Sequence, residues 1–340
     1  MSWDPAERDR VAALCEEHGV HTVECVIVDS WGMPRGKRLP VKQFLRGSGY
    51  AIASVVYSWD PTCFIFDTPW VSVDGGVPDM HAIPDLSSFR IAGWTEGVAI
   101  VMCDTVNVDT HEPIAMDARN MLKKQLARAE EMGYGVDAAS ELECHFFTED
   151  WKPIYDDINC YSIYRGWEME PFMLDIRESL RKTGIEVEAC NVEYGPGQTE
   201  INVRYGPMLK MADDTIYFKY IVRLCAKRHG LNVTFMAKPF ISEAGNGMHI
   251  HQSLTKDGKN AFAAQDEDTV LGNALMRKYL TGLLAHHKEL QLIMTPTISG
   301  YKRLQDYSFS PTQVTWGLDH PLDGVRSICG PGAANPLQAR

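Results

Sequence analysis

Along this chain apolar and polar positions follow two rhythms, and each marks a kind of element. Between Gly135 and Phe147 the period is two: Val136, Ala138, Leu142, Cys144 and Phe146 fall on one face, Glu141, Glu143 and His145 on the other. That alternation predicts a half-buried strand with two carboxylates projecting side by side. From Met116 to Met132 the spacing is helical, with Met121, Leu122, Leu126 and Ala129 on one stripe, Asp117 near the start and Gly133 as the stop. The same logic predicts helices over Glu170–Lys182, Met208–His229 and Thr269–Leu292. It predicts strands over Gln198–Arg204, Leu231–Lys238, Gly247–Leu254 and Thr312–Leu318.

Toward the N-terminus, Asp4 before Pro5 is a helix cap followed by a first-turn proline, and Val11, Leu14 and Cys15 keep helical spacing up to Gly19. A strand is predicted over His21–Asp29, then a loop over Gly32–Arg38 carrying Arg35, Lys37 and Arg38. From Tyr50 to Asp104 short apolar runs broken by Pro, Gly and Asp suggest a small sheet-rich module. Helices and strands do not alternate strictly, which favours an α+β chain with a mixed or antiparallel sheet over a doubly wound parallel one. A length of 340 residues fits one large or two unequal domains, and a boundary is expected near Thr105 to Glu112, after the sheet-rich module, as 1–107 and 108–340.

Composition narrows the partners. Acidic residues outnumber basic ones 45 to 33, and a net charge of −12 repels phosphate backbones and anionic lipid, so nucleic acid and membrane surfaces are not expected partners. No apolar run approaches the ~20 residues of a membrane helix, and Met1–Arg8 has no basic stretch leading into an apolar one, so no secretory signal is expected. Nine cysteines without a Cys-x-x-Cys pair fit buried thiols in a reducing compartment, which points to the cytoplasm.

Three segments could carry chemistry. Ser140-Glu141-Leu142-Glu143-Cys144 holds two like charges on one strand face, an arrangement that repels unless a cation sits between them, although an exposed strand with two solvated acids reads the same way. In Asn191–Glu200 a Gly195-Pro196-Gly197 turn lets Glu193 and Glu200 converge, as an ordinary surface hairpin also would. In Gly245–Leu254 alternation groups His249, His251 and Ser253, either as ligands or as satisfied core residues. Four carboxylates with an imidazole form a hard donor set suited to Mg²⁺ or Mn²⁺, with room for two ions, rather than to structural zinc. Tyr301-Lys302-Arg303-Leu304 and Arg326 add fixed positive charge for carboxylate or phosphate oxygens, or for surface salt bridges. A binuclear hydrolase built on His249 and His251 is a weaker fit, because the remaining histidines and acids show no matching order.

Taken together and in this order, these segments resemble the glutamine synthetase family, from about Val23 to Arg326. The resemblance implies an N-terminal β-grasp-like domain, then a catalytic domain of antiparallel strands and helices. It also implies a homo-oligomeric, dodecamer-like ring with each active site between neighbouring subunits. Glu143, Glu193 and Glu200 look like ligands of the metal facing the amino-acid substrate, and Glu141 and His249 like ligands of the metal that bridges ATP phosphates. His251 and Ser253 resemble nucleotide contacts. Gly245 looks like the glycine beside the substrate backbone, Arg303 like the arginine on its carboxylate, and Arg326 like one that neutralises the transferring phosphoryl group. Asp29 resembles the aspartate that binds and deprotonates the attacking amine. The implied chemistry is phosphorylation of the L-glutamate side chain by ATP, followed by displacement of phosphate by a nitrogen nucleophile.

Departures from the family pattern refine this. Phe309, within Tyr307–Pro311, stands at or beside a glutamate of true glutamine synthetases; a ring cannot offset the desolvation of an ammonium ion but can pack on a carbon skeleton. Tyr301-Lys302-Arg303 and Pro34–Arg38 also look more like the γ-glutamyl-polyamine and γ-glutamyl-monoamine branch, so an organic amine is the expected acceptor. Ammonia, as in a true glutamine synthetase, and a non-catalytic homologue are the alternatives. Pro321 stands where the family usually has a phosphate-contacting arginine, and the family's Glu-x-Arg segment and C-terminal helices are not among residues 1–340, as in a truncated sequence or a degenerate homologue.

Overall fold

In the computed structural model, which describes residues 3–263, 272–306, 308–320, 322–328 and 337–339, the chain is α+β and its residues group into two units. One comprises Met1–Arg128, Glu178–Ile185 and Ala212–Ile221; the other comprises Ala129–Arg177, Glu186–Met211 and Val222–Arg340.

The first unit opens with the helix Pro5–Glu17, capped by the Asp4 carboxylate accepting from the Ala6 amide. Its sheet runs in the order Pro34–Pro40, Thr22–Val28, Val98–Asn107, Asp79–Pro84, Tyr50–Ala53, with Thr22–Val28 parallel to Val98–Asn107. Strand residues Val23, Cys25, Ile27, Met80, Ala82 and Val101 bury one continuous core with Val11 and Phe44.

One expectation fails here. The expected loop Gly32–Arg38, rich in Pro, Gly and charge, overlaps a strand, Pro34–Pro40, paired antiparallel with Thr22–Val28 over seven positions. It sits at the sheet edge, where exposed basic side chains and a missing proline amide cost no ladder bond. Gly36 makes the pairing possible: its φ is +149°, and a Cβ there would stand 1.9 Å from the Cys25 carbonyl oxygen, which also accepts from Tyr50 Oη. Gly36→Ala is expected to destabilise this unit by about 3 kcal/mol, measured by urea unfolding; a loss under about 1 kcal/mol would mean the hairpin shifts freely.

The second unit is organised around the strand Gly135–Thr148, longest in a 10-stranded sheet. Met248–Lys256 pairs with it antiparallel on one side and Gln198–Val203 on the other, with Val187–Val192 beyond. The expected antiparallel character holds, Trp316–Leu318 with Val325–Ser327 being a parallel pair. Leu142, Cys144, Phe146 and Ile201 are buried, and Phe146 meets Phe172 of the helix Ile163–Lys182 at 4.9 Å between ring centroids.

That helix begins seven residues before the expected Glu170, continuing through Pro171. Thr269–Leu292 is two helices among the described residues, Ala274–Ala285 and His287–Met294, because His286 leaves helical geometry at φ −108°, ψ 9°. Only Trp316–Leu318 of the expected Thr312–Leu318 strand is extended, and Leu231–Lys238 is a strand only to Thr234. No helix of the described residues is long and apolar enough to cross a membrane.

Candidate active site

Strand register assembles the site. Glu141 lies opposite His249, and Glu143 opposite Glu200, so three strands bring their chemistry onto one face of the sheet. Ligand atoms of Glu141, Glu200 and His249 all fall within 4.8 Å of one another. The Glu141 carboxylate accepts from His249 Nδ1 at 2.9 Å and lies 2.9 Å from His251 Nε2 on the same neighbouring strand. Burial pushes its pKa up, but the two neighbouring imidazoles, His249 and His251, outweigh it and hold the group well below the usual carboxylate range.

Beside this cluster a cavity of about 290 Å³ is lined by Glu143, Glu193, Glu200, Gly245, Arg303 and Phe309, with His249 and Cys160. Burial, reinforced by Glu143, raises the Glu193 pKa. Like charges held this close in a half-buried site create a demand for a cation, and the donor set of carboxylate oxygens and imidazole fits Mg²⁺ or Mn²⁺. Burial lowers the Arg303 pKa while Glu143 opposes the shift; an arginine keeps its charge in such a place and presents a fork for a carboxylate. Gly245 lies against that arginine: a Cβ there would stand 2.3 Å from the Ala237 carbonyl oxygen and 3.2 Å from Arg303 Cγ.

A second cavity, about 230 Å³, is lined by Glu141, His251, Ser253, Asn202 and Tyr205, so His251 and Ser253 fall together as their spacing indicated. Phe309 has φ +57°, a left-handed conformation rarely taken by a bulky residue, and its ring packs on Tyr194 at 5.1 Å between centroids. Strain of this kind gathers at functional positions.

Two sequence candidates are not among the residues that line these cavities. Asp29 belongs to the other unit, where its carboxylate is taken up within its own hairpin by the amides of Trp31 and Met33 and by Arg35 Nε at 2.8 Å. Arg326 lines neither cavity and is paired with Asp319, its Nε 3.0 Å from Oδ1. Tyr307 and Pro321 lie outside the described residues.

Sequence reasoning gave no role to Gln198 and Asn246. Gln198 Nε2 donates to Glu143 Oε2 at 2.9 Å and to the Gly245 carbonyl at 3.0 Å, while its Oε1 accepts from the Gly195 amide. Asn246 Oδ1 stands 2.8 Å from His145 Nδ1, and its amide donates to the Met236 carbonyl. Together they tie the Gly195–Gly197 turn, a candidate metal ligand and the glycine beside Arg303 into one frame. The signal was present only as amide side chains embedded in glycine-flanked motifs.

An antiparallel sheet that gathers carboxylates and histidines from three strands over one face defines the class of metal-dependent enzymes with oxygen-rich centres. Comparison with known proteins makes this particular. Residues 115–340 match the glutamine synthetase catalytic domain. Over 97% of its length the chain is 32% identical to a glutamate–isopropylamine ligase of Pseudomonas sp, covering 75% of that protein. It is 33% identical over 98% of its length to a glutamine synthetase of Thermotoga maritima, again covering 75%. Among solved structures it superposes on GmaS in complex with ADP with a TM-score of 0.84 at 26% identity, over 96% of this chain and 75% of that one. The chain belongs to the glutamine synthetase family, whose enzymes are ligases that use ATP and divalent metal ions.

Proposed function

We propose that this chain joins the γ-carboxyl group of L-glutamate to an organic amine in an ATP-dependent reaction that passes through γ-glutamyl phosphate. The observation that carries the reading is the makeup of one cavity: carboxylates and His249 on one side, Arg303 and Gly245 on another, and the Phe309–Tyr194 pair where a bare ammonium ion would need a charge. The glutamate–isopropylamine ligase among its relatives supports the choice of acceptor.

Glu143, Glu193 and Glu200 would hold the metal on the amino-acid side, and Glu141 with His249 the metal on the nucleotide side. Bound there, Mg²⁺ or Mn²⁺ screens phosphoryl oxygens so that anionic groups can approach one another. Arg303 holds the substrate carboxylate in its fork, and Gly245 keeps the approach clear. Gln198 fixes the Glu143 carboxylate by direct hydrogen bonding. His251 and Ser253 contact the nucleotide from the second cavity, Arg326 neutralises the transferring phosphoryl group, and Asp29 takes the proton of the incoming amine. Phe309 and Tyr194 pack on the amine's carbon skeleton, where apolar contact replaces the missing charge.

A ring-shaped homo-oligomer, a boundary at 107/108 and a cytoplasmic location complete the proposal. The ring rests on family membership, and the boundary on the end of the sheet-rich run at Asp104. The location is supported by the described cysteines, all of them free thiols.

The test is phosphate release from ATP with L-glutamate, Mg²⁺ or Mn²⁺ and a panel of ammonia, ethylamine, isopropylamine, aniline and putrescine. Turnover with an organic amine above that with ammonia is expected. Strongest release with ammonia makes the chain a true glutamine synthetase, and ATP and Mn²⁺ binding without turnover makes it a non-catalytic homologue. Phe309→Glu is expected to shift the kcat/KM ratio of ammonia over the best amine at least about tenfold. An unchanged ratio would remove Phe309 from the acceptor site.

A further inference from the structure

A third cavity, about 240 Å³, lies between the first half of the helix Ile163–Lys182 and the hairpin of Val187–Val192 and Gln198–Val203. Ile163, Trp167, Met169, Met173 and Val192 make its walls apolar, and methionine side chains adapt to the shape of an occupant. Among the polar residues that line it, Thr199 is 1% exposed and its hydroxyl finds no hydrogen-bond partner. An unmatched buried hydroxyl is a cost that a donor or acceptor on a bound molecule removes. At the rim Arg177 and Glu170 already neutralise each other, Nη1 standing 3.1 Å from Oε2, which leaves neither to attract an ion. An apolar cavity of about 150 Å³ accepts benzene, so this one has room for a fused bicyclic ring.

The cavity is also wired to the carboxylate site. Tyr161 lines both, and Asn191, another lining residue, donates to Glu193 Oε1 at 2.9 Å. We propose that this cavity binds an uncharged aromatic molecule of about indole size with one hydrogen-bonding group for Thr199, and that its occupancy tunes the metal affinity of Glu193. The second half of this statement rests on the reading of Glu193 as a metal ligand.

Calorimetry of the full chain with indole tests it. The expected result is one site with a Kd below about 1 mM, and indole-3-acetate binding at least tenfold more weakly because its charge has no partner there. Gly166 lines the cavity and a Cβ at that position meets nothing within 4 Å, so Gly166→Leu suits the helix and fills the space; indole binding should disappear. Thr199→Val should weaken indole binding about tenfold while the melting temperature holds or rises; a hydroxyl needed only for the fold would instead lower it. Absence of heat with indole, or wild-type affinity in both variants, overturns the site.

Titration of Mn²⁺ with and without saturating indole completes the test, since coupling between two sites is reciprocal. A shift of threefold or more in Mn²⁺ affinity is expected. Indole binding with Mn²⁺ affinity unmoved overturns the effector role. Failure to bind Mn²⁺ at all counts instead against the metal reading of Glu193, and the indole heats then decide the cavity by themselves.

Discussion

Replacing Glu200 with alanine is expected to lower ATP-dependent phosphate release at least about a thousandfold while leaving the circular dichroism spectrum unchanged. The reason is the crowding of negative charge around it. Glu200 stands opposite Glu143 in the ladder, and its carboxylate groups with Glu141 and His249 within 4.8 Å. Such a set is stable as anions only with a cation among them, so losing one donor should cost metal affinity before it costs the fold. Without metal, the variant should match or exceed the wild type in stability, because like-charge repulsion has been relieved. Addition of Mn²⁺ at about a hundred times its Kd should stabilise the wild type by about 2.7 kcal/mol, and the variant by little. Glu143→Ala should behave alike in turnover, though it also removes the acceptor of the Gly247 amide and one of the acceptors of the Gln198 side chain, which keeps the Gly245 carbonyl. Thermal unfolding with and without Mn²⁺, alongside phosphate release, checks both variants. Full turnover in either would return these acids to the status of an ordinary strand face.

How far the sequence could be read depended on whether a feature is local. The carboxylate face of Gly135–Thr148 was legible because a half-buried strand writes its burial into every second residue. Pairing of Glu141 with His249 was not, since register between strands 108 positions apart depends on the whole sheet; only their shared chemistry suggested it. The same distance hid Gln198 and Asn246, whose partners are 55 and 101 positions away. Errors in element bounds have local causes. Pro and Gly argued for a loop at Gly32–Arg38, where an edge strand tolerates both, and the helix expected from Glu170 begins at Ile163 and runs through Pro171. The bonds of Asp29, by contrast, are local: it accepts from the amides of Trp31 and Met33 and from Arg35 within one hairpin.

The largest effect on stability is expected at Arg119, in the unit that carries no metal-ligand candidate. Its side chain is 5% exposed and joins three carboxylates: Asp213 through Nε and Nη2 at 2.9 and 3.0 Å, Asp85 through Nη2 at 2.9 Å, and Asp104 through Nη1. Lys123 adds a second cation, 2.6 Å from Asp104. Burial pushes the Asp85 pKa up, but the Ser87 hydroxyl and the two cations outweigh it and bring it down to about 2. Its folded value is therefore below its unfolded one, and the stability it contributes is present above about pH 4 and lost as the pH falls toward 2. Arg119→Met removes the shared partner and leaves the acids facing one another, at a cost of about 3 to 5 kcal/mol near pH 7. Burial already holds the Asp213 pKa above the ordinary carboxylate range, and loss of its guanidinium partner raises it further, so the folded variant binds more protons near neutrality and regains stability as the pH falls from 7 toward 5. Urea unfolding at pH 5 and pH 7 separates the two outcomes. A variant destabilised equally at both would mean that Arg119 acts through packing of its stem, with the three acids free to reach water.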